Sequence, residues 1–410
     1  MIMTSTMDAS KFLQMIQREF DWHVRQHKGA EAYRAPSLTN SILPMFALDR
    51  WATGPGQDTR QLYPIMRPAL QLASLWLTED MPLLWFGHLT FGQRRRNAAG
   101  QVYLERNPHY STPAALATVR ANLHDFGKTN FFSFAHPDCK DAAYGTTYPY
   151  REMLPYFRKF RHTDFPPVLS SKGVLKPCIR LTRAFVKSFQ STNVSANERY
   201  RSLFMFAVVL CHEIAHGYHM FLDSGDEPLW VADEKIPELG FSWELNVLGH
   251  VPMPNGGTGP EGRFRRLNAV RMLELPPDAE RDRVLLGLKG TTRAEFTTRD
   301  ASGNYRNWPI LNGGRFRGAE WTLSSHALFF IASFHVIPTH WMVSWFQRDS
   351  WEALKLRWLE NNRFVPPALG QTFMIIYERT PLGVQIHRPV YPNNPVDAKI
   401  IEEHRKYLQR

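Results

Sequence analysis

Two imidazoles four residues apart stand in His212-Glu213-Ile214-Ala215-His216. Residues at that spacing share one helical face, so both rings can reach a single cation. Neutral imidazole is a good ligand for zinc, and Glu213, projecting to the side, is positioned to take a proton from a water that the ion activates. A tetrahedral catalytic zinc needs a third protein ligand and leaves its fourth position open. Two glutamates downstream qualify: Glu238, 22 residues beyond His216, and Glu244, 28 beyond. Glu238 falls on the first turn of a second expected helix, with Ser242 one turn later as a hydrogen-bond partner. Glu244 shares an apolar face with Gly240, Phe241, Val247 and Leu248, where a carboxylate asks for a partner. Glu238 is favoured as the ligand, with Glu244 supporting one; a solvent-facing side chain is the plain alternative for either. His219, three residues after His216, is a candidate catalytic residue that orients substrate or polarises an oxyanion, against the commoner role of a packed histidine. Tyr218, His250, His326, His335 and His340 are further candidates for an electrophilic group. Cys211 reads as a small core residue, and His136-Pro137-Asp138-Cys139 as a turn.

This arrangement resembles the zincin metallopeptidases, specifically the gluzincin branch, over roughly residues 195 to 250. The resemblance implies that His212, His216 and Glu238 bind zinc and that Glu213 is the general base. The metzincin branch requires a glycine three residues and a histidine six residues after the second motif histidine; this chain has His219 and Leu222 there. It also departs from the usual gluzincin pattern, because Ser242 stands four residues after Glu238. The segment Glu238-x-Gly240-x-x-Trp243-Glu244 is similar to one in fungal zincin-like proteins. The expected activity is a zinc-dependent hydrolase acting on peptides. The alternative is a metalloenzyme acting on a small-molecule substrate in a biosynthetic pathway, as lyase, cyclase or hydrolase; a third reading is a metal-stabilised scaffold without turnover.

The motif needs a central helix to carry it. Ser195 followed by Glu198 is a capping box, helix-compatible residues run to Leu222, and Leu203 to Cys211 is apolar on every side, which sends the helix through the protein's centre. A second helix is expected from Pro237 to Leu248. Upstream, the chain to about residue 80 reads as helical, with Phe12, Met15, Ile16, Phe20, Leu70, Leu72 and Leu75 at helical spacing. Leu83–Phe91 and Gln101–Arg106 read as strands joined by a Gly- and Asn-containing loop, and Cys178–Val186 as a strand with one solvated face. Downstream, Gly249–Gly262 is a boundary loop, Asn268–Leu288 and Ser325–Asn361 read as helical with an interruption at Pro338, Thr372–Glu378 as a buried strand, and the tail as polar. These readings give an α+β, zincin-like fold, predominantly helical with a small sheet next to the motif helix. It divides into residues 1–249, holding the site, and a mainly helical part, 250–410, closing the cleft.

Composition supports a soluble globular protein: 43% of the 410 residues are hydrophobic and 21% charged, enough apolar surface to bury a large core. The net charge of +11 lies in short clusters, Arg94 to Arg96, Arg158 to Arg161 and Arg263 to Arg266, without a recognisable nucleic-acid module or basic amphipathic helix; neither nucleic acid nor membrane is an expected partner. Three cysteines, Cys139, Cys178 and Cys211, suit a reducing compartment, and the N-terminus shows no basic region followed by an apolar one, which points to the cytoplasm.

Overall fold

A computed structural model of the chain describes residues 34–52, 58–136, 143–149, 177–223, 225–232, 237–254, 262, 264, 267–274, 297–299, 305–307, 310–311, 329–361, 364–367, 369, 373–380 and 383–390. The protein is a mixed α/β, α+β structure. At its centre runs the motif helix, Ala196–Leu222, capped as its sequence requires: the Glu198 amide donates to Ser195 Oγ at 3.2 Å and the Ser195 amide to Glu198 Oε2 at 2.9 Å. Every residue from Leu203 to Cys211 is buried, so the all-apolar run has packing on each side.

Three elements surround that helix and fix its orientation. Helix Thr59–Trp76 buries Leu70, Leu72 and Leu75 in the shared core. Its last residue, Trp76, meets Trp243 and Trp345 edge-on, each with ring centroids 5.5 Å apart. Edge-to-face pairs contribute about 0.5–1.5 kcal/mol each beyond the area they bury. Trp243 lies on the short helix Leu239–Val247, which we call the carboxylate helix; its docking on Trp76 thus anchors the element carrying Glu244. On the other side a three-stranded sheet is ordered Phe131–Phe134, Pro177–Leu181, Gly145–Pro149, the first two strands parallel and the third antiparallel. A small sheet thus lies beside the motif, with Gly145–Pro149 at its edge, but of the segments read as strands only Cys178–Val186 contributes to it.

Several elements differ from the sequence reading. Leu83–Phe91 is not a strand: helix Asp80–Phe91 occupies it, with eight residues buried. An unbroken apolar run carries no period to separate a buried helix from a buried strand, and Pro82 sits in the first turn, where its missing N–H costs nothing. The strand that pairs with Val102–Glu105 is Gln93–Arg96, within the stretch assigned to the loop. All four of its residues are exposed, so no apolar alternation marks it. Cys178–Val186 divides: strand Pro177–Leu181 ends at Thr182, whose hydroxyl caps helix Arg183–Gln190.

The largest correction concerns the C-terminal part, which is not mainly helical. Six antiparallel strands, all beyond residue 250, pair in the order Ile310–Leu311, Gly383–Val390, Phe373–Thr380, Phe329–Val336, Leu267–Glu274, Val251–Pro254. Leu267–Glu274 and Phe329–Val336 replace the starts of the two expected helical stretches, and Gly383–Val390 lies in the expected polar tail. The buried-strand reading of Thr372–Glu378 matches Phe373–Thr380, and helices Thr339–Trp345 and Arg348–Asn361 follow Pro338 as expected. The helical readings at Phe12 to Phe20 and beyond Glu274 lie outside the described residues, as do Cys139 and most of the His136 turn. Cys178 and Cys211 are buried free thiols. Among the described residues no helix is long and apolar enough to cross a membrane.

Candidate metal centre

One turn apart on the motif helix, His212 and His216 hold their ring centroids 5.1 Å apart. Facing them is the start of the carboxylate helix. Glu238 is its N-cap, not a residue of its first turn: one oxygen, Oε2, accepts the Phe241 amide at 2.5 Å, as capping requires. The other, Oε1, lies 3.2 Å from His212 Nε2 and 3.0 Å from His216 Nε2. These three ligand atoms all fall within 4.8 Å of one another, and the group can hold a metal ion. The close approach depends on Gly240, because a Cβ there would lie 2.4 Å from the His212 ring.

Each imidazole is held from behind by its own carboxylate. His212 Nδ1 is 2.7 Å from Glu244 Oε1, and His216 Nδ1 is 2.5 Å from Glu227 Oε1. A carboxylate only accepts, so in the metal-free protein each ring, lying between two carboxylates, donates from both Nδ1 and Nε2; a metal taken up at Glu238 would replace the Nε2 protons and leave those on Nδ1. Glu244 therefore stands away from the point where the Nε2 atoms converge and supports His212 instead; its Oε2 is buried with no hydrogen-bond partner among the described residues. Ser242, expected to bond to Glu238 from one turn later, is buried and bonds through its own amide to the Glu238 carbonyl at 3.2 Å. Glu227 was absent from the sequence reading. Its only signal there was indirect, since a ligand histidine usually donates its second nitrogen to a carboxylate or carbonyl.

Glu213 is 4% exposed. The Thr147 hydroxyl shares its hydrogen between Glu213 Oε2, at 2.7 Å, and the Glu213 carbonyl, at 2.9 Å. A Cβ on Gly145 would lie 2.5 Å from Glu213 Oε1, so the edge strand passes directly over the carboxylate. Neither Thr147 nor Gly145 could be associated with the motif from sequence, because they approach it only through sheet pairing.

His219 is buried, and Arg94 Nη2 donates to its Nε2 at 3.0 Å while also pairing with Asp223 at 2.6 Å. Its Nδ1 has no partner among the described residues. Burial, helped by Arg94, lowers its pKa and keeps it neutral. Tyr218 is a core residue: its hydroxyl bonds to Thr90 at 2.8 Å and burial pushes its pKa up to about 12. Cys211 is likewise core, its thiol pushed well up by burial. His326 and the side chain of His335 lie outside the described residues.

Electrostatics single out the same group. Burial pulls against a charge on His212 and His216, yet the paired glutamates outweigh it: His212 is raised well above the usual imidazole value by Glu238 and Glu244, and His216 to about 10 by Glu227 and Glu238. Glu238 moves the other way. Despite its burial, the two histidines hold it well below the ordinary carboxylate value. Burial pushes Glu244 up to about 7 against the pull of His212. Without an ion, protons on the imidazoles balance the carboxylates; a divalent cation at the convergence of the Nε2 atoms would replace them. Comparisons of the chain with protein families, with curated proteins and with solved structures find no match.

Proposed function

We propose that this protein is a zinc-dependent hydrolase of the zincin type, metallopeptidase-like, in which His212, His216 and Glu238 hold the metal and Glu213 is the general base. The observation that carries this reading is the convergence of two Nε2 atoms and one carboxylate oxygen, with each Nδ1 already taken by a separate glutamate. Two imidazole nitrogens and one carboxylate make up a known catalytic zinc ligand set. Ligand atoms about 2.0–2.1 Å from a tetrahedral zinc lie about 3.3 Å apart, close to the 3.2 and 3.0 Å separations around Glu238 Oε1.

Bound zinc supplies a lowered pKa for water and polarisation of a carbonyl. Glu213 accepts the proton of the attacking water at its carboxylate and returns it to the leaving group. Thr147 donates to Glu213 Oε2 and so holds the carboxylate in place. His219, kept neutral beside Arg94, accepts at Nε2 and carries its hydrogen on a buried Nδ1. Burial of Glu213 under Gly145 and Thr147 favours a second reading on the same residues, a zincin-type metalloenzyme working on a small molecule in an enclosed site.

The test is a peptide-library digest with zinc-loaded protein, repeated with chelator and with Glu213→Gln. The expected result is cleavage that chelation abolishes and that the variant reduces about 10²–10⁴-fold while zinc stays near one per chain. Zinc-replete protein inert towards every peptide would favour the small-molecule reading. A variant that loses zinc and keeps activity would remove Glu213 from the role of base.

A further inference from the structure

Glu227 lies in the connection between the two ligand-bearing helices, 11 residues after His216 and 12 before Leu239. Its two oxygens go to different places. Oε1 takes His216 Nδ1 at 2.5 Å, and Oε2 accepts the amide of Leu239, the first residue of the carboxylate helix, at 3.3 Å. Leu239 directly follows Glu238 in the chain. Glu244, by contrast, spends Oε1 on His212 and has no partner for Oε2 among the described residues.

From this we propose that Glu227 is a positioning residue that orders the second and third metal ligands together. One oxygen fixes the tautomer and ring angle of His216; the other seats the helix start from which Glu238 reaches inward. The inference rests on the metal-centre reading above and adds to it a residue outside the motif. Ordering two ligands before the ion arrives removes an entropic cost that binding would otherwise carry. Removal of a carboxylate behind one metal-ligating histidine typically costs about 10–100-fold in affinity. Loss of Glu227 should lie in that range, through both ligands at once.

The substitutions separate its two contacts. Glu227→Ala removes both acceptors. Glu227→Gln is nearly isosteric and keeps one carbonyl oxygen, enough for His216 Nδ1 or for the Leu239 amide but not both. Zinc affinity of the full chain is measured by competition with a chromogenic chelator, and the histidine ring nitrogens are followed by ¹⁵N-edited NMR. We expect one zinc per wild-type chain, binding about 10–100-fold weaker in Glu227→Ala, and an intermediate value for Glu227→Gln. In the zinc-loaded wild type, His216 should show a hydrogen-bonded Nδ1 proton. That resonance should move in Glu227→Gln while the one from His212, held by Glu244, stays.

Wild-type affinity in both variants would overturn the proposal and leave the metal centre intact. A wild-type chain that takes up no zinc would overturn both. If Glu227→Ala does not fold, Glu227→Gln and the wild-type spectrum still decide. A His216 that binds zinc through Nδ1, or an Nδ1 resonance indifferent to Glu227→Gln, would contradict the assignment.

Discussion

Two kinds of buried histidine coexist in this chain. His88 and His219 are the more deeply enclosed, each 2% exposed, and both are shifted towards the neutral form, chiefly by burial. His88 Nε2 donates to the Trp230 carbonyl at 2.9 Å; His219 accepts from Arg94. His212 and His216 are less enclosed yet shifted the opposite way, because each lies between two carboxylates. Depth of burial therefore does not decide whether a histidine is arranged to hold positive charge. The supply of carboxylates does, and here it gathers at one point on the motif helix, whereas His88 hydrogen-bonds to a carbonyl and His219 to the Arg94 guanidinium.

Breaking that contrast should have its largest effect at the ligands themselves. His216→Ala is expected to abolish stoichiometric zinc uptake, measured by metal analysis after gel filtration, whereas His88→Phe should keep one zinc per chain even if it lowers thermal stability. Equal retention by both variants would erase the distinction. A smaller effect should separate the two glutamates of the carboxylate helix. Glu238→Ala removes a ligand and should lose most of its zinc. Glu244→Ala removes only the support behind His212 and should weaken affinity by about 10–100-fold. The reverse order would make Glu244 the third ligand.

The smallest effect concerns pH. In the metal-free protein His216 is raised from the usual 6.5 to about 10, so its contribution to stability is fully present below about pH 6.5 and is lost as pH rises through about 10. Glu238 is shifted down from 4.5, so its contribution is present above about pH 4.5 and is lost as pH falls further. Metal-free protein should accordingly be most stable between those limits. Zinc displaces the imidazole protons, so the rise in Tm on adding zinc should grow from about pH 6 to about pH 9. A zinc-dependent rise that shrinks over this range would contradict the assignment of the protons.

How much of this was legible in the sequence follows the range of the interactions involved. The motif helix could be read to the residue, because its cap, apolar run and stop are local: Ser195, Leu203 to Cys211, and Asp223. Glu238 stood as one of two candidates with Glu244, since a catalytic zinc needs a third protein ligand and the chain offers these two carboxylates downstream of the histidine pair. The place of Glu238 at the N-cap rather than within the first turn could not be read, because Pro237 suggested an earlier start. Glu227 was hidden in an acidic connection that reads as a helix stop and a loop. Thr147 and Gly145 meet Glu213 only because Gly145–Pro149 pairs with Pro177–Leu181, a contact with no trace in local pattern. The C-terminal sheet was missed for a related reason: Leu267–Glu274 and Phe329–Val336 find each other across more than fifty residues, and neither reveals its partner locally.

The central claim is that a cation sits between two Nε2 atoms and the inner oxygen of Glu238. Anomalous diffraction at the zinc edge from zinc-loaded crystals tests it most directly. The predicted result is one strong peak bonded to His212 Nε2, His216 Nε2 and a Glu238 carboxylate oxygen, with Glu227 and Glu244 still on the Nδ1 atoms. A peak elsewhere, or both rings turned from each other with no ion between them in zinc-soaked crystals, would contradict the account.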